Sequence, residues 1–327
     1  ITFFCATGTH RPPTPRELIT ILGKEVTERF RIVQNNASDP AQQQYAGTTA
    51  SGLRVMLNKE ILEYDLRILT GFIEPHFFAG FSGGGKAIMP GMASLETVRQ
   101  NHSIRNLSHQ HARWGHTSGN PLWEEVVEAA EMAAPLFLLN ITLNRDKQIT
   151  GVFAGEHREA HKRGCAFARE TAMAPLKGPF DLVITSNSGY PLDLNIYQSV
   201  KGMSAAERVV KEGGSIIVAA QCWDGIPAGS DYETILTSVD RVESLMGYIR
   251  EHEAELQDTW QVYFQAMIQM KARVYLHSKL DPQTVKSAHL EPVGNMDRLI
   301  AELVENYGPD TRICVLPEGP HTIPYLT

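Results

Sequence analysis

The chain is poor in cysteine and has no long apolar or basic run, and each shortage excludes something. Its 327 residues hold four cysteines, Cys5, Cys165, Cys222 and Cys314, too far apart to form a Cys-x2-Cys pair. That spacing argues against a zinc knuckle or a redox dithiol and leaves ordinary buried thiols in a reducing compartment, so a cytoplasmic location is expected. No apolar run approaches the ~18 residues of a membrane span, and no signal peptide is visible. Ile1, however, stands inside the apolar run ITFFCATG, which reads as the middle of a strand, so the natural N-terminus is expected upstream. Lysine and arginine form no extended cluster, and the formal net charge is −7. Broad attraction to nucleic acid or to anionic lipid is therefore not expected, and small molecules are the expected partners.

What is present is an alternation of short apolar runs with stretches of helical spacing. Residues 1–6, 31–34 and 66–71 read as strands, residues 16–22 and 122–134 as helices, and residues 136–143 (LFLLNITL) as a buried strand. The pattern breaks at APLKGP, residues 174–179. A second unit follows: a strand at 180–186, a helix from about 196 to 212, the turn Gly213-Gly214, a strand at 215–220, helical stretches within 240–269 and a late strand at 312–316. This order predicts two α/β domains with mainly parallel sheets, residues 1–176 and 177–327, the second Rossmann-like, with the active site in the interdomain cleft. The loop SNSGYPLDLN lacks Gly-x-Gly-x-x-Gly, so a dinucleotide fingerprint is absent.

The stretch GFSGGGKAIMPG, residues 80–91, suggests a phosphate loop but departs from the P-loop pattern. Ala87 stands where Ser or Thr would ligate Mg²⁺, and Pro90 and Gly91 follow too soon for the long helix such a loop opens. Three histidines share its loop-like surroundings: His10 in TGTHRP, His76 in FIEPHFF and His102 in QNHS. His10 and His76 each follow a strand, where α/β enzymes place reactive groups.

Together TGTHRP, PHFFAGFSGGGKAIMPG, the Asn-His of QNHS and YQSVKGMSAA resemble the nickel-dependent lactate racemase family, over most of the chain and with agreeing intervals. His76 lies ten residues before Lys86, and His102 sixteen after it. The resemblance implies nickel and a nickel-pincer nucleotide, pyridinium-3,5-bisthiocarboxylic acid mononucleotide. In that family the nucleotide is tethered to a lysine as a thioamide and holds nickel through two sulfurs and a ring carbon. Lys86 matches the covalent tether, His102 the protein ligand to nickel, and His10 and His76 the two acid–base groups. Gln198 and Lys201 match substrate-side polar residues, and Tyr197 and Trp260 pocket residues. Gly83, Gly84 and Gly85 are expected to let the backbone pass close to the flat cofactor. The enzymes that build the cofactor are implied partners.

The implied substrate is a 2-hydroxy acid, lactate or a related one, and the implied enzyme a racemase or epimerase. Its α-hydrogen is too weakly acidic for a side-chain base, because the neighbouring carboxylate is already negative. Removal as hydride, with a base taking the hydroxyl proton, leaves a planar 2-keto acid that has lost its handedness. Two histidines then serve the two orientations of the keto group.

Other features read as less specialised. His109, His111 and His116 form a polar helix edge, Arg105 an exposed arginine, and His157 and His161 a charged helix surface despite their i, i+4 spacing. The alternative function is a nucleotide-binding protein or small-molecule sensor that keeps this scaffold without nickel chemistry.

Overall fold

Capping residues set where the main helices begin. Thr14 accepts the Glu17 N–H while the Glu17 carboxylate accepts the Thr14 N–H, a reciprocal pair that starts helix Pro15–Leu22. Asn120 followed by Pro121 starts Pro121–Glu131, and Asn195, accepting from Gln198 N–H, starts Ile196–Glu207. The computed structural model describes residues 1–327, which divide into two units, Ile1–Arg169 and Glu170–Thr327. No helix is long and apolar enough to cross a membrane.

In the first unit the sheets are small and mixed. Thr2–Cys5 pairs parallel with Arg31–Gln34, while Gln43–Thr48 and Arg54–Asn58 form an antiparallel pair. Arg67–Phe72 and Leu136–Leu143 run parallel, and Ile149–Gly155 adds an antiparallel edge. The expected buried strand at 136–143 is buried on one face only. Leu138 and Asn140 point inward, whereas Phe137 and Leu139 are each 41% exposed. The continuous apolar run hid an alternation that only the pairing reveals.

The second unit is built on five parallel strands in the order Glu291–Pro292, Arg273–His277, Val210–Ala219, Phe180–Ser186, Ile313–Leu316. Leu182, Val183, Ile216, Ile217 and Val218 are fully buried, as strands covered on both faces require, and each contributes about 2 kcal/mol. The chain departs from the sequence reading at two places. Helix Ile196–Glu207 ends earlier than 212, and Gly213-Gly214 lies inside the strand, at an irregularity in its pairing with Phe180–Ser186. A Cβ on Gly214 would stand 2.9 Å from the Asp181 carbonyl, so the glycine permits a close approach of two strands. Strand Met173–Leu176 pairs with Ile323–Leu326, which assigns residues 170–176 to the second unit.

Candidate active site

The glycine loop is a single 3₁₀ turn, Gly84–Ala87, and not the start of a long helix. Gly83 and Gly84 have φ of +78° and +58°, so the chain turns through the left-handed region just before Lys86. The loop is fastened at each step. Ser82 N–H donates to the Glu74 carbonyl and Ser82 Oγ to the Phe72 carbonyl, Gly84 N–H donates to Asn140 Oδ1 at 2.8 Å, and Lys86 N–H to the Gly83 carbonyl. The missing side chains at Gly83–Gly85 make room for neighbouring protein. A Cβ on Gly83 would stand 2.5 Å from Asn140 Oδ1, one on Gly84 2.7 Å from the His161 ring, and one on Gly85 3.0 Å from Ala130.

Three of the expected residues meet on one aromatic ring. Phe78 is 5% exposed; Lys86 Nζ stands 5.8 Å from its centroid, the His102 ring meets it at 5.0 Å and the His76 ring at 4.5 Å. His76 sits in a tight hairpin, Pro75–His76 against Gly80–Phe81, stacked on Phe77. Its Nδ1 accepts the Ala79 N–H at 3.3 Å, which leaves Nε2 to carry the proton in the neutral ring. Gly80 is required there because the His116 backbone passes within 2.3 Å of where its Cβ would be. His10 is exposed, in a loop bonded to the tail of the lysine loop: Gly8 N–H donates to the Gly91 carbonyl, and Gly91 N–H to that of Lys86, both at 3.0 Å.

His102 closes helix Leu95–Asn101, whose N-cap is Ser94. Burial, with Lys86 nearby, pushes its pKa down to about 3, so the imidazole is neutral and keeps a nitrogen lone pair for a metal. The segment that carries it is anchored by Glu125, whose carboxylate accepts from Ser51 Oγ, Asn101 Nδ2 and Asn106 Nδ2. No three His, Cys, Asp or Glu side chains are grouped to hold a metal. A single neutral imidazole beside a lysine therefore fits a metal that arrives with most of its ligands on an organic carrier, and does not fit a bare ion.

In the second unit Gln198 and Lys201 lie one turn apart on Ile196–Glu207 and are half-buried. Gly202 lets that helix lie close to the strand before it, since its Cβ would stand 3.0 Å from the Ser186 carbonyl and from Asn187 Oδ1. Trp260 is buried, and its Nε1–H donates to Tyr197 Oη at 3.2 Å, so it holds Tyr197. The Tyr197 hydroxyl also bonds the Asp258 carboxyl, which burial raises to about 6, and burial raises Tyr197 itself.

The lactate racemase N-terminal domain pattern matches residues 1–115 and the C-terminal domain pattern residues 176–323. The chain belongs to the lactate racemase family. It is 37% identical to the lactate racemase of Thermoanaerobacterium thermosaccharolyticum over 318 residues, 96% of this chain and 74% of that one. Identity to the lactate racemase of Lactiplantibacillus plantarum is also 37%, over 98% of this chain and 76% of the relative. The structure of the T. thermosaccharolyticum lactate racemase apoprotein superposes with a TM-score of 0.93 at 35% identity, covering 99% of this chain and 78% of the other. A Thermotoga maritima protein shares the fold, with a TM-score of 0.78 at 18% identity, covering 100% and 86%.

Against this family background, several residues differ from their sequence reading. His157 and His161 are buried, 8% and 4% exposed, and form no charged surface. His157 lies against Glu156 and Glu131, and His161 is stacked on Trp123. His109, His111 and His116 lie in turns following a short helix, with rings 5.5 and 5.8 Å apart in sequence, so they form no helix edge. Arg105 is exposed. Asn140 and Glu125 were missed altogether. Glu125 had a legible signal, since it falls on the apolar face of its helix with Leu122, Val126 and Ala129.

Proposed function

We propose that the chain racemises or epimerises a 2-hydroxy acid, with Lys86 as the covalent anchor and His102 as the protein ligand of a nickel-pincer nucleotide. The observation that carries this reading is the convergence of Lys86 Nζ and the His102 ring on Phe78. The bound group supplies an electrophilic carbon able to take the α-hydrogen with its electron pair and give it back.

The protein's own residues do the remainder. For one enantiomer His10 in its neutral form would take the hydroxyl proton, and His76 in its protonated form would give one to the keto oxygen once the keto group has turned over; for the opposite enantiomer both transfers run the other way. Lys201 pairs with the substrate carboxylate, and Gln198 adds a hydrogen bond that sets orientation. Tyr197, held by Trp260 and Asp258, lines the site. Proton transfer by a placed imidazole is worth ~10²- to 10⁴-fold in rate.

The test is to incubate cofactor-loaded protein with a panel of enantiopure 2-hydroxy acids and follow optical rotation. Decay of rotation with at least one acid supports the reading. Constant rotation across lactate, malate and longer aliphatic and aromatic members, from protein carrying both nickel and adduct, contradicts it.

A further inference from the structure

We propose that His161 is a positioning residue for Lys86: its Nε2–H fixes the Ser82 carbonyl and thereby the turn that presents the lysine. This rests on the reading of Lys86 as the attachment point.

Two consecutive residues in the left-handed region, Gly83 and Gly84, turn the chain just before Lys86, and the carbonyl of the half-buried Ser82 that precedes them faces the His161 ring. A buried carbonyl without a donor is costly, and no backbone N–H reaches it within this turn. His161 supplies the donor from helix His157–Ala172, with Nε2 2.8 Å from the Ser82 oxygen. Because a carbonyl only accepts, Nε2 carries the ring proton. The Cys165 sulfur lies 3.4 Å from Nδ1 and 3.5 Å from Nε2, and burial pushes that thiol up to about 12, so it stays protonated; with the proton of the ring on Nε2, Nδ1 is the nitrogen able to accept from it. Both ring nitrogens thus have assigned roles.

The ring itself is clamped. Trp123 stacks on it at 4.5 Å with planes 17° apart, and its edge fills the space where a Gly84 Cβ would stand. The next turn carries the constraint forward, because Lys86 N–H bonds the carbonyl of Gly83, the residue after Ser82. His161 touches neither substrate nor reacting atoms in this scheme; it acts through the loop.

Two variants separate the donor from the packing. His161→Phe keeps the stack on Trp123 and removes the donor, while His161→Gln keeps an Nε2 donor. The readouts are amide hydrogen exchange of Gly84–Lys86 in the chain alone, and the fraction of Lys86 peptide carrying the cofactor mass after production with the cofactor-building enzymes. His161→Phe should speed exchange about tenfold and lower loading by a similar factor, with His161→Gln within about twofold of wild type. Wild-type exchange and loading in His161→Phe overturn the proposal, as does a His161→Gln variant as impaired as His161→Phe. Should His161→Phe not fold, His161→Gly is measured with and without imidazole, which can enter through the cavity of about 550 Å³ that His161 lines. Restored slow exchange then supports the proposal and its absence overturns it. If wild type carries no adduct, the reading of Lys86 fails, and the exchange data still decide the His161 contact.

Discussion

The Phe78 ring meets the His102 ring edge to face, with 5.0 Å between centroids and 81° between planes. Lys86 Nζ stands over the same Phe78 ring, so one buried aromatic sets the spacing between the proposed anchor and the proposed metal ligand. Phe78→Leu should retain the fold at a cost of about 1–3 kcal/mol while lowering nickel content of the loaded protein several-fold. Metal analysis beside urea denaturation checks this; full nickel occupancy in the variant would remove Phe78 from the account.

The three histidines should separate by readout. His10→Ala and His76→Ala are expected to lose at least ~10²-fold in turnover with nickel still bound, as loss of a proton-transfer group predicts. His102→Ala should lose the metal. Nickel loss in both His10→Ala and His76→Ala would contradict the assigned roles.

Glu125 is 7% exposed and accepts three side-chain hydrogen bonds. Burial raises its carboxyl above the ordinary range, while those bonds act to lower it. Glu125→Ala would leave the Ser51, Asn101 and Asn106 donors buried without their acceptor, at a cost of about 3 kcal/mol or more. Glu125→Gln keeps one acceptor and should cost less. Equal denaturation midpoints for wild type and Glu125→Ala would show that the network is not a structural constraint.

His161 also predicts a pH dependence. Burial is the largest cause of a pKa lowered to about 4, whereas the unfolded chain protonates this ring near 6.5. Between those values the unfolded state binds the extra proton, so stability is retained above pH 6.5 and falls as pH drops toward 4, by about 3 kcal/mol in total. The stability of His161→Gln should fall less steeply over that window. Parallel stability–pH curves would refute the assignment.

Much of this was legible in the sequence, and for identifiable reasons. The strands at 136–143 and 180–186 begin and end where the apolar runs do, because turn residues bound them sharply. The loop histidines and Lys86 stood out because glycine and proline punctuate their surroundings. His161 and Asn140 did not, since their roles depend on contacts 79 and 56 residues away in the chain, with Ser82 and Gly84. His161, the second of two histidines in the charged string GEHREAHKRG, looks solvated until Trp123 is placed against it. The left-handed turn that demands a donor is likewise a tertiary fact, invisible to periodicity.

The central claim is that the substrate's own α-hydrogen leaves and returns with both its electrons. Racemising an enantiopure 2-hydroxy acid with cofactor-loaded protein in D₂O, and reading the stereocentre by mass and proton NMR, tests it most directly. The account predicts a racemic product that retains the original hydrogen at that carbon; deuterium incorporated there in step with racemisation would contradict it.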